Sequence, residues 1–161
     1  LWIATCLGGL FVVDKEKLIQ NETGNYVADY NFSTGDGLSG MFINQLVTDC
    51  DGNIWAFHYN NGVDKINPDT YEITQVRIEE MINGKYIYCI ISDKKGMIWG
   101  GYRGGVLFIN PTDNSFKTVN LSQFSDSEVL SLTEMSDYIW ISSADGAWVL
   151  HKETLDVKRI N

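Results

Sequence analysis

The sequence predicts an all-β chain built from four copies of one antiparallel unit, and three observations carry that prediction. Tryptophan recurs at Trp2, Trp55, Trp99 and Trp140, each preceded by a β-favouring residue, Leu1, Ile54, Ile98 or Ile139. A glycine follows six or seven positions later, at Gly9, Gly62, Gly105 and Gly146. In the three longer copies an acid, Asp49, Asp93 or Glu134, stands six positions before the tryptophan. Segments 43–67, 87–110 and 129–151 align on this template, and residues 1–14 match its second half. The tryptophans lie 53, 44 and 41 residues apart, within or a little beyond the period of four-stranded propeller blades.

Each element has its own signature. A β-rich run such as Ile43 to Val47 or Ile87 to Ile91 predicts the innermost strand, and the tryptophan run predicts the second. The glycine marks a turn into a third strand, as at Val106 to Ile109. A looser, alternating fourth follows at Tyr71 to Ile78, Phe116 to Leu121 and Leu155 to Ile160. The inner strands are apolar on nearly every residue, as expected of strands packed on both faces. A lone unit cannot cover two apolar faces, so the units must stack radially, with the tryptophans filling the wedges between sheets. The fold read from this is a β-propeller segment of about 3.5 four-stranded antiparallel blades, part of a larger propeller. Its spans are an incomplete blade at 1–38 and blades at 39–80, 81–121 and 122–161, with Trp148 outside the anchor series.

The hairpin Asp49-Cys50-Asp51-Gly52-Asn53 resembles the opening of a calcium loop, but no further carboxylate arrives at the spacing a coordination sphere needs. It reads instead as a tight turn whose acid accepts backbone hydrogen bonds while Gly52 takes positive φ, echoed at Asp93 to Gly96. Neither a metal nor another cofactor is expected. The three cysteines, Cys6, Cys50 and Cys89, fall at different offsets from their tryptophans and are expected to be buried structural thiols.

Composition narrows the partners. With 44% apolar and 20% charged residues in 161, the chain can bury a core. A net charge of −9 leaves no basic stripe for phosphates, which argues against nucleic acid and against an anionic membrane surface. No run of roughly 18 apolar residues is present, so no membrane span and no direct membrane contact by this segment are expected. The opening LWIATCLGGLFVV lacks a charged leader and reads as part of a folded element, not as a secretory signal.

The stretch Phe32-Ser33-Thr34-Gly35-Asp36-Gly37-Leu38-Ser39, followed by Asp51-Gly52-Asn53-Ile54-Trp55, resembles the two-component regulator propeller repeat, as do Gly9-Leu10, Gly62-Val63 and Gly105-Val106. The third and fourth units depart from it, with Ile82-Asn83-Gly84-Lys85 and Phe124-Ser125-Asp126-Ser127 in place of the "DGL" element. The resemblance implies the periplasmic sensor region of a bacterial sensor histidine kinase, a family that includes hybrid kinases regulating polysaccharide use. Its partners would be the remaining blades and sensor domains of a parent chain, and a homodimer is a further possibility. No kinase motif lies in these residues, so the segment itself is expected to be non-catalytic.

Ligands of propellers bind on loops over the channel. The loops after the tryptophan strands nominate His58, Tyr59, Asn60, Asn61, Tyr102, Arg103 and Asp145. The two tyrosines are the candidates to stack on sugar rings and the others to hydrogen-bond, a mixture suited to an oligosaccharide. The ordinary alternative is that these are solvated loop residues and that Arg103 pairs with a nearby carboxylate. Two other functions compete: a non-catalytic protein-interaction or dimerisation scaffold, and a lyase resembling streptogramin-inactivating propellers. The lyase is disfavoured because His58 and His151 are the only histidines and neither has a companion motif.

Overall fold

Four antiparallel sheets follow one another along the chain, each with its strands in sequence order. The computed structural model describes all residues except 23, 60, 61, 79–81, 83, 84, 122–125 and 161. The first sheet has three strands, β1 (Trp2–Ala4), β2 (Leu10–Val12) and β3 (Tyr30–Phe32). The second holds β4 (Ile43–Thr48), β5 (Ile54–His58), β6 (Val63–Ile66) and β7 (Ile73–Val76). The third holds β8 (Ile87–Ser92), β9 (Ile98–Tyr102), β10 (Gly105–Ile109) and β11 (Phe116–Asn120). The fourth holds β12 (Val129–Met135), β13 (Tyr138–Ser143), β14 (Gly146–His151) and β15 (Val157–Ile160). Among the described residues an α-helix, α1 (Lys15–Gln20), interrupts the first unit, an element the repeat pattern does not predict. Asp14 caps it by accepting from the amides of Glu16 and Lys17, it buries no residue, and it accounts for the longer first spacing.

Register confirms the repeat. Trp55, Trp99 and Trp140 pair with Lys65, Phe108 and Val149 on the third strand, and with Val47, Ile91 and Thr133 on the first. Burial separates them. Trp55 is 0% exposed and clusters with Ile87, Ile90, Ile98 and Leu107 of the third sheet. Trp99 is 2% exposed among Val129, Leu132, Ile139 and Trp148 of the fourth. Trp2, partly buried, packs towards the second sheet with Ile43 and Ile54. Trp140 departs from the expected filled wedge. It is 40% exposed, because it lies on the face of the fourth sheet that no further sheet covers among the described residues. Trp148, outside the anchor series, is fully buried on the opposite face.

The burial gradient also differs from expectation. The strands buried at every residue are β5 and β9, the second of their sheets, whereas the innermost β4 and β8 are mixed. An innermost strand keeps one edge without a strand partner, while the second is flanked on both edges and both faces.

The hairpin turns behave as read, with one addition. Gly52 and Gly96 sit at φ 85° and 79°. Asp49 Oδ1 accepts from the amides of Asp51 and Asn53 at 3.0 and 2.9 Å, and Asp93 Oδ1 from those of Lys95 and Met97, both at 2.9 Å. The other carboxylate oxygen takes the indole: Trp55 Nε1 donates to Asp49 at 2.8 Å, and Trp99 Nε1 to Asp93 at 3.0 Å. The acid six residues ahead thus ties turn and wedge together. Burial works against the charge on Asp49, but the hydrogen bonds from Trp55, Asn53 and Asp51 outweigh it and hold the carboxyl below its ordinary range. Glu134 is different: it pairs with Lys152 at 2.5 Å and accepts from the Lys94 amide of the neighbouring turn at 3.1 Å. Gly96 is required twice over, since a Cβ there would also meet Cys50 within 2.5 Å.

The cysteines correct the expectation of buried thiols. Cys6 and Cys50 are exposed. Only Cys89 is partly enclosed, and burial pushes its thiol up to about 11.

Candidate functional site

At one end of the sheets, two recurring positions meet across the junctions that join the second, third and fourth sheets. One is the residue just before the innermost strand, Phe42, Tyr86 or Glu128; the other is the loop residue after the second strand, Tyr59, Arg103 or Ala144. The Tyr59 ring stacks on Tyr86 of the next unit at 4.6 Å and 16°, and lies 5.1 Å from Phe42 of its own. The Tyr59 amide donates to the Phe42 carbonyl at 3.1 Å, which fixes the loop on the strand start. All three rings are about 40% exposed. At the next junction the same two positions carry charge: Arg103 Nη2 meets Glu128 Oε1 at 2.5 Å, and Tyr88 Oη donates to the same carboxylate at 3.3 Å. The rim is therefore a row of three aromatic faces continued by an ion pair. Beside it, along the starts of the innermost strands, runs a groove of about 460 Å³ whose lining includes Asn44, Gln45, Tyr88, Leu130 and Ser131. Gln45 Oε1 accepts the Ile90 amide at 3.0 Å, cross-tying the second and third units there.

The nominated residues are only partly brought together. Tyr59 stands exposed on the rim, and Arg103 is engaged by Glu128, as the ordinary alternative has it. Asn60 and Asn61 lie outside the described residues. Tyr102 is buried: its ring lies so close over Gly105 that a Cβ there would come within 2.4 Å of it, and Lys85 Nζ covers it at 5.7 Å. That ring offers no free face to a sugar. His58 is also buried, with Nε2 2.7 Å from Asp64 Oδ2. Asp145 accepts from the hydroxyls of Ser127 and Ser143 at 2.5 and 2.7 Å.

Sequence reasoning missed Phe42 and Tyr86. Their signal was available, an aromatic immediately before the innermost strand in two successive units. It missed Asp64 too, an acid at a position where the other units carry Phe11, Leu107 and Trp148.

No protein-family model and no curated protein matches the chain. Solved structures do. The extracellular domain of BT4673 from B. thetaiotaomicron, described as a hybrid two component system, superposes with a TM-score of 0.91 at 44% identity, over 99% of this chain and 22% of that one. Along its whole length the chain is similar to part of this two-component extracellular domain. The extracellular domain of BT3049 from the same organism, described in the same way, matches at 21% identity and TM-score 0.70, over 99% of this chain and 20% of its own. Virginiamycin B lyase from Staphylococcus aureus, at 16% identity and TM-score 0.73, shares the fold, covering 99% of this chain and 51% of its own. The two-component propeller segment thus spans about a fifth of the length of its sensor relatives and lies on the periplasmic side of the membrane. No helix among the described residues is long and apolar enough to cross a membrane.

Proposed function

We propose that this propeller segment senses an oligosaccharide in the periplasm for a hybrid two-component sensor histidine kinase, which passes the signal to transcription. The observation that carries the proposal is the stacked, half-open row Phe42–Tyr59–Tyr86 at the rim. Aromatic faces give a sugar ring a flat apolar platform at low entropic cost, and nearby polar groups set orientation. Here those groups are Asn44, Gln45, Tyr88 and the Arg103–Glu128 pair, all beside the row. The segment acts without catalysis: His58 is engaged by Asp64 inside the second unit, and His151 packs edge-on against Tyr138 at 5.0 Å, so neither histidine stands at the rim as a general acid or base.

The test is calorimetry of the full-length protein against a panel of oligosaccharides. A ligand that binds the wild type is expected to lose about 10- to 100-fold in affinity in the Tyr59→Ala and Tyr86→Ala variants, since each removes one stacking face. Unchanged affinity in both removes the rim from the reading.

A scaffolding role is the second reading, and one observation favours it. Met135, Tyr138, Trp140 and Ile160, on the first, second and fourth strands of the fourth sheet, are exposed, an apolar set on one face of that sheet. We assign this face to the remaining blades of the parent protein. Trp140→Glu in the full-length protein is then expected to lower the melting temperature by several degrees, and an unchanged melt would contradict the assignment.

A further inference from the structure

The rim changes character from one junction to the next. Between the second and third sheets the two recurring positions hold a pair of rings, Tyr59 on Tyr86. Between the third and fourth they hold Arg103 and Glu128, and more than their own attraction keeps them together. The two residues form an antiparallel backbone bridge, and the next amide, that of Gly104, donates to the Ser127 carbonyl at 3.0 Å. Tyr88 Oη, on the innermost strand of the third sheet, donates to the same carboxylate oxygen that takes Arg103. An exposed ion pair is ordinarily weak, because two long side chains must be ordered to make it. Here the backbone has brought the two residues side by side, so the pair stands before any ligand arrives.

The neighbouring cation is committed in the same direction. Lys85 Nζ donates to the Arg103 carbonyl at 2.8 Å and lies 4.0 Å from Asp126 Oδ1. Two other basic residues towards this end, Arg77 and Arg159, lie just after β7 and on β15, the outermost strands of their sheets, away from a row that borders the innermost ones. The aromatic row therefore ends on two positive charges that each face a negative one.

We propose that this end of the rim selects uncharged oligosaccharides, and that Glu128 is the residue that turns acidic ones away. This selectivity presupposes the sugar-binding rim and adds the charge of the ligand to it. Arg103 and Tyr88 both bond to Glu128 Oε1, and among the described residues no hydrogen bond reaches Oε2. The pair so presents guanidinium N–H donors beside a carboxylate acceptor, and adjacent sugar hydroxyls, each both donor and acceptor, match that arrangement. A uronate or sulfate does not. To reach the guanidinium it must displace Glu128, and the displaced carboxylate then stands beside a like charge. An arginine with no carboxylate beside it would do the reverse and hold an acidic group through paired N–H bonds. The residue next to the arginine, and not the arginine itself, sets which sugars are accepted.

The experiment is calorimetry of the full-length protein with tetragalacturonate and tetramannuronate, each compared with its carboxyl-reduced, uncharged counterpart. In the wild type a neutral chain is expected to bind at least about tenfold more tightly than its acidic partner. Glu128→Gln should narrow that gap to within about threefold by strengthening the acid, and adding Arg103→Gln should abolish the gain. An acid that binds the wild type as tightly as its neutral partner, and weakens in Tyr59→Ala, overturns the charge selection while leaving the rim as the site. Binding that Tyr59→Ala leaves unchanged overturns the rim itself. A second measurement does not depend on which chain the rim prefers: the ¹⁵N resonance of the Arg103 side chain is followed as sodium galacturonate is added. It is expected to stay in place in the wild type and to shift in Glu128→Gln. Equal shifts in the two proteins, or a shift in neither, overturn the role given to Glu128.

Discussion

Trp99→Ala is expected to lower the stability of the folded segment by about 3–5 kcal/mol, measured as the shift in a urea unfolding curve. The indole is 2% exposed and sits between two sheets, where Val129, Leu132, Ile139 and Trp148 close over it. Burying roughly 150–250 Å² of indole at about 25 cal/mol per Å² contributes about 4–6 kcal/mol, before any relaxation of the cavity walls. The substitution also takes the Nε1 donor, at 3.0 Å, away from Asp93 Oδ2 and leaves it, among the described residues, only Lys152 Nζ at 3.8 Å. Trp99→Phe separates the two effects, because it keeps an aromatic wedge and removes only the N–H. A loss below about 1 kcal/mol for the alanine variant would mean that the indole does not hold the third and fourth sheets together.

Asp49→Ala is the second large effect, about 2–4 kcal/mol, and it carries a pH signature. The carboxylate is the common acceptor for the Asp51 and Asn53 amides, the Asn53 side chain and the Trp55 indole. Trp55 is 0% exposed, so its orphaned N–H has no route to water in the variant. These hydrogen bonds lower the native pKa of Asp49 against the opposing effect of burial. A depressed carboxyl pKa contributes stability that is fully present above the unfolded value of about 4, and that contribution is lost as pH falls through the native pKa. The gap between wild type and Asp49→Ala should therefore be widest near neutrality and narrow on acidification below about pH 4. A gap that stays constant or grows towards acid would contradict the assignment of the charged form to the native turn.

The frame was legible because it is written locally and repeated. Tryptophan, acid and glycine fall at fixed offsets, and period-2 and apolar runs mark the strands. Even so, the acid was read only as a turn-former, because its bond to an indole six residues away depends on a hairpin closing over itself. Burial was less legible, since it depends on what stands opposite a face. Trp140 follows the same sequence pattern as Trp55 and Trp99, yet among the described residues no sheet stands against it, and its acid, Glu134, pairs with Lys152. Tyr102 was expected on the surface as a loop residue, but it is the last residue of β9 and takes the inward position. The rim was the least legible part. Tyr59 and Tyr86 meet only because successive sheets stand side by side, and no pattern within one unit announces a contact between units. Asp64 could have been found by aligning the copies and asking which one breaks the apolar column.

The most direct measurement is ligand-induced shift in the aromatic NMR spectrum of the full-length protein carrying ¹³C-labelled tyrosine. If the rim is where the sensor meets its oligosaccharide, Tyr59 and Tyr86 shift together on addition of ligand, while Tyr30 and Tyr71, tilted against each other with ring centroids 4.6 Å apart beside the helix of the first unit, stay in place. Shifts at Tyr30 and Tyr71 with a silent rim would put recognition elsewhere on the propeller and contradict the account.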